Sequence, residues 1–111
     1  YNDFDNLSWL GAVGSATPVF APDRVGDWLC IEVRVALNTP ANADGVFELW
    51  VDDQLEARRD GLNWLGSFDD YGLNAVFLEN YWNGGAPAAQ ARVFDGFVVS
   101  TERIGCGAAG P

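Results

Sequence analysis

Glu32 and Arg34 share one parity of an alternating segment, and Glu48 and Trp50 share one parity of the next. If Val76 and Leu78 of a third segment point inward, Phe77, Glu79 and Tyr81 join the same face. Carboxylates, a guanidinium and aromatic rings on one sheet face suit a sugar: rings stack on the apolar side of a pyranose and charged groups orient its hydroxyls. The same residues also suit a plainer role, cross-strand charge pairs on a solvated face with the aromatics in the core. Glu32 and Glu48 on neighbouring strands are further a candidate glycosidase pair, for which retaining chemistry needs a separation of roughly 5 to 5.5 Å. Ordinary surface acids are the simpler account of that pair.

Composition removes many alternatives. The chain has 111 residues, with 16 acidic residues against 6 basic ones and a net charge of −10. All the basic residues are Arg; Lys, His and Met are absent. An acidic chain without a basic stripe excludes nucleic acid as the expected partner. Without His there is no imidazole base or His-held metal, and without Lys no Schiff base or P-loop. Two cysteines alone do not make a zinc site, so no metal ligand set is assigned. Calcium is the ion that suits carboxylates, with Asp3/Asp5/Asn6, Asp44, Asp52/Asp53 and Asp69/Asp70 as candidates, none at EF-hand spacing. Asn6-Leu7-Ser8 is a glycosylation sequon, a motif of low specificity.

Cys30 and Cys106 are either two buried thiols or a disulfide. As a disulfide they would contribute roughly 4 to 5 kcal/mol in the chain-entropy model, which favours an extracellular, secreted setting. No run of about 18 apolar residues is present, so no membrane span is expected. The chain opens on Tyr1 without a signal-like segment and reads as a mature or trimmed piece.

These residues must be carried by strands, because the dominant periodicity is two. Leu29, Ile31, Val33, Val35 and Leu37 alternate with Cys30, Glu32, Arg34 and Ala36, predicting a strand over 28–37. Asn38-Thr39-Pro40 ends it. A second strand over 46–52 meets a tight turn at Asp52-Asp53 and returns as a third over 55–60. Residues 61–72 read as a loop, 74–81 and 91–100 as further strands, and 1–9 and 19–20 as weaker ones. No segment sustains a helical period, so the fold class expected is all-β, an antiparallel β-sandwich forming a single domain over 1–111.

Four stretches together resemble a known family: WLCIEVRVALNTP (28–40), DGVFELWVDDQLEARRDGL (44–62), NAVFLENYWNGGAP (74–87) and FDGFVVSTERIGC (94–106). They are similar to the C-terminal part of a concanavalin A-like (laminin G-like) jelly roll of the polysaccharide-lyase type, near the heparin-lyase-like and alginate-lyase-like proteins. The resemblance spans 28–106 and implies a jelly roll short of its full length, since a complete one is about twice as long. It also implies a glycan partner. Lyase chemistry, β-elimination on a uronate, needs a group to neutralise the carboxylate and a base. Arg34 is assigned the first role, with Arg58 and Arg59 as substitutes, and Tyr81 the second; substrate contacts are assigned to Glu32, Glu48, Trp50, Arg58, Trp82 and Asn83. Family members often use His or Lys, which this chain lacks, and Asp53 stands where the family's hairpin usually has Gly. Carbohydrate binding is therefore expected ahead of catalysis by a polysaccharide lyase. The third expectation is a fibre or sheath subunit, a homo-oligomer assembled by edge-strand pairing.

Overall fold

The alternating segments form the sheet of a computed structural model that describes residues 10–68, 70 and 72–108. β1 is Ile31–Ala36, β2 Gly45–Val51 and β3 Gln54–Leu62, joined as one antiparallel meander in the order β1-β2-β3. Two 3-10 turns, Pro22–Arg24 and Cys106–Ala108, complete the regular structure of the described residues. The all-β expectation is met; among the described residues there is one sheet. No helix among them is long and apolar enough to cross a membrane.

The turn between β2 and β3 is a two-residue hairpin, with Val51 paired to Gln54 and both Asp52 (φ 48) and Asp53 (φ 65) left-handed. That geometry matches the right-handed twist of the strands, and Asp tolerates it better than most residues. Both side chains add tethers. Asp52 Oδ1 accepts the Cys30 N–H at 2.9 Å, and Asp53 Oδ1 accepts the Cys106 N–H at 3.1 Å. Glycine would serve the turn and lose both.

Two irregularities bend β3. Leu49 pairs with Ala57 but Trp50 with Leu55, so Glu56 is an extra residue that leaves the ladder. Its carboxylate instead gathers the segment before the sheet: the Thr17 hydroxyl (2.6 Å), the Ala16 and Thr17 N–H groups (2.8 and 3.0 Å) and the Ser15 hydroxyl (3.2 Å). The Thr17 hydroxyl leads the causes that hold the Glu56 carboxyl below its ordinary range. The second irregularity contains Gly61, whose φ of 70 is left-handed.

Past Ala36 the chain turns back around Asn38, which is 4% exposed. Its amide donates to the carbonyls of Thr39 (3.1 Å) and Asn42 (2.8 Å) and to Asn63 Oδ1 (3.1 Å), and its Oδ1 accepts the Leu65 N–H at 3.0 Å. Asp44 closes the same turn by accepting the Thr39 hydroxyl and N–H, both at 2.7 Å, and these bonds lower its carboxyl from the ordinary value.

Among the described residues the buried apolar ones are Val51, Ala57 and Leu62, and all lie on β2 and β3. On β1, Ile31 and Val33 remain about half exposed, at 51% and 54%. The strands expected over 74–81 and 91–100 are irregular and exposed, with Phe77 80% and Val93 75% accessible. An alternating pattern becomes a strand only when it pairs with a neighbour, and neither segment joins the open edges of β1 or β3 in a ladder. Val19 and Phe20 lie in a turn rather than a strand, between Pro18 and Pro22, which fix φ and lack the N–H a ladder needs. The expected strand over 1–9 lies outside the described residues.

Candidate functional site

Register places five of the eight candidate residues on one face. Glu32 pairs with Trp50, and Arg34 with Glu48, which pairs in turn with Arg58. Paired residues project to the same side of a sheet, so the face reads Glu32, Arg34, Glu48, Trp50, Arg58 across three strands. Glu48 is the buried centre at 6% exposed, and both of its oxygens are engaged. Arg34 Nη1 lies 3.1 Å from Oε2 and Arg58 Nη1 contacts Oε1. Arg58 also grips Asp60 at 2.7 Å. The Asp60 bond is the leading cause that raises the Arg58 guanidinium and lowers the Asp60 carboxyl from their ordinary values.

At the hairpin end of this face the C-terminal segment is clamped down. Cys30 and Cys106 form a disulfide. Glu32 accepts the N–H groups of Ile104 (2.8 Å) and Gly105 (3.2 Å) and lies 3.4 Å from Arg103 Nε. Arg103 reaches Asp53 at 3.0 Å and stacks over the Trp50 ring at 3.7 Å from its centroid. A guanidinium therefore occupies a face of the indole that a pyranose would use.

The charge-pair reading thus describes Arg34 and Glu48, while the partner of Glu32 is Arg103, which no motif or alternation in the sequence marks. Glu32 and Glu48 share the face on different rungs, each already bound to cations or N–H groups, and are not set apart as a glycosidase pair. Tyr81, Trp82 and Asn83 lie off the sheet on an irregular turn. The Tyr81 hydroxyl donates to Asn83 Oδ1 at 3.3 Å, the Gly85 N–H closes on the Trp82 carbonyl at 3.2 Å, and the Tyr81 ring is 75% exposed. Arg34 engages Glu48 and Tyr81 engages Asn83, with no hydrogen bond linking the two. The neutralising group and base that elimination requires are not brought together by these contacts.

Of the calcium candidates, Asp44 is taken up by Thr39, Asp52 by Cys30, and Asp53 by Arg103 and Cys106. Among the described residues no group of three or more acids and cysteines converges as a metal cage. Asp3, Asp5, Asn6 and Asp69 lie outside the described residues. No known family model matches this sequence, and comparison with curated proteins and with solved structures gives no significant match.

Proposed function

We propose that this chain is an extracellular carbohydrate-binding domain of jelly-roll type, related to polysaccharide lyases, that binds through its aromatic turn. The observation that carries the reading is the Tyr81–Asn83 turn. An open phenol ring has its hydroxyl oriented by Asn83 Oδ1, beside Trp82 at 40% exposure. Such rings stack on the apolar side of a pyranose, and the Asn83 amide N–H groups supply directional donors to hydroxyls. The half-exposed guanidiniums of Arg34 and Arg58 add donors on the sheet face. A net charge of −10 favours neutral glycans over polyuronates. The Cys30–Cys106 disulfide agrees with an oxidising compartment. On a glycan array of neutral and acidic oligosaccharides we expect selective binding to neutral ones, weakened at least about tenfold by Tyr81→Ala, a loss of about 1.4 kcal/mol. An array without hits removes the reading.

The exposed apolar segments favour a second reading, assembly of copies by strand addition. Residues 74–81 and 91–100 keep a strand's alternation without a ladder, and Ile31 and Val33 stand open on the edge strand β1. Unpaired edges and exposed apolar stripes are what strand addition consumes. Light scattering should then give a mass that rises with concentration, and a constant monomer mass excludes it.

A further inference from the structure

We propose that the cleft on the apolar face of the sheet binds a small amphiphilic carboxylate, an aryl or short aliphatic acid whose head group pairs with Arg59. The adjacent arginines Arg58 and Arg59 project to opposite faces. Arg58, paired with Glu48, holds two carboxylates on the polar face. Arg59 pairs in register with Phe47, which pairs with Val35, and so stands on the apolar face. Among the described residues no carboxylate lies within salt-bridge distance of it, in a chain with 16 acidic residues.

Arg59 lies at a cleft of about 350 Å³ whose other walls are Leu10, Val13, Phe47, Leu62 and Trp64. The backbone lies close against its guanidinium at Gly11 (φ 91), where an added Cβ would collide with the Arg59 side chain. Trp64, one of the wall residues, also carries a buried indole N–H with no acceptor among the described residues. A half-buried guanidinium on an apolar face that meets no counter-ion among the described residues is unfavourable there, and a carboxylate supplies two parallel charge-assisted hydrogen bonds to it. The remaining walls reward an apolar tail by removing its surface from water. A polyanion gains no second cation in this cleft and meets the repulsion of the whole chain, so a single carboxylate with a short tail is the fitting class.

The test is a ¹H–¹⁵N NMR titration of the full chain with 3-phenylpropionate, run in parallel with 3-phenylpropan-1-ol. Saturable shifts are expected at the Gly11, Val13 and Leu62 amides and the Trp64 indole N–H, with a dissociation constant of about 1 mM or tighter. Arg59→Gln should weaken the acid at least about tenfold, equivalent to about 1.4 kcal/mol, and leave the alcohol unchanged. Non-saturating shifts, shifts located elsewhere, or an Arg59→Gln protein that binds the acid as tightly as the parent would overturn the proposal. If the spectrum of Arg59→Gln collapses, Arg59→Lys carries the test. It keeps the charge and loses the fork, so weaker acid binding is expected and unchanged affinity refutes the pairing. Because the cleft and the Tyr81–Asn83 turn share no residue, failure here leaves the glycan reading standing, and the reverse holds.

Discussion

Reduction of Cys30–Cys106, or replacement of both residues by Ser, is expected to lower stability by roughly 4 to 5 kcal/mol. The two cysteines are 76 residues apart, so the link closes a loop covering most of the chain and removes a large share of the unfolded chain's freedom. Among the described residues the buried apolar set is Val51, Ala57 and Leu62, a small core to set against that loss, since whole domains are stable by only about 5 to 15 kcal/mol. The change is read from urea unfolding with and without a phosphine reductant, the midpoint falling steeply. A shift of less than about 1 kcal/mol would mean that the noncovalent clamp suffices alone. That clamp is substantial: Glu32 takes two N–H groups of the tail, and Asp53 takes a third together with Arg103. The reduced protein should therefore separate the two contributions, because Glu32→Gln destabilises it further only if the tail stays docked without the covalent bond.

Asn38→Ala is expected to cost about 2 to 4 kcal/mol, from buried backbone groups left without partners. The Asn38 amide serves three acceptors and its oxygen serves the Leu65 N–H, so one side chain holds the β1–β2 turn against the segment after β3. Asn38→Asp separates the two halves of that role. It retains the acceptor for Leu65 but turns a carboxylate oxygen toward the Thr39 and Asn42 carbonyls and Asn63 Oδ1, all acceptors. At neutral pH the Asp variant should be at least as unstable as the Ala variant, by urea midpoint, and should recover in acid, where a protonated carboxyl can donate. An Asp variant as stable as the parent would show that the amide donors contribute nothing.

The sequence is legible where the physics is local. Alternation at Ile31, Val33 and Val35 and at Phe47, Leu49 and Val51 is a property of neighbouring residues, and so is the turn chemistry of Asp52-Asp53. β1, β2 and β3 accordingly lie within a few residues of their expected bounds. The division of Glu32, Arg34, Glu48 and Trp50 from the apolar parity was legible for the same reason. Arg103 and Asn38 were not legible as key residues. Nothing local to TERIG marks Arg103 as the cation that covers Trp50, and Asn38 reads as one turn residue among several.

The segments over 74–81 and 91–100 show the limit from the other side. Their alternation is as clear as that of β1, yet a strand is a relation between two segments, and pairing partners are chosen by the whole chain. By itself, then, the sequence determined that this protein is built from strands, which residues share a face, and that no imidazole or lysine chemistry is open to it. Only the tertiary structure decided which acid meets which arginine. Arg34 and Arg58 close on Glu48, Arg103 closes on Glu32 and Asp53, and Arg59 is left facing an apolar cleft. The reason is that register and bulges set these distances: one residue of slip in β3 would exchange the faces of Arg58 and Arg59.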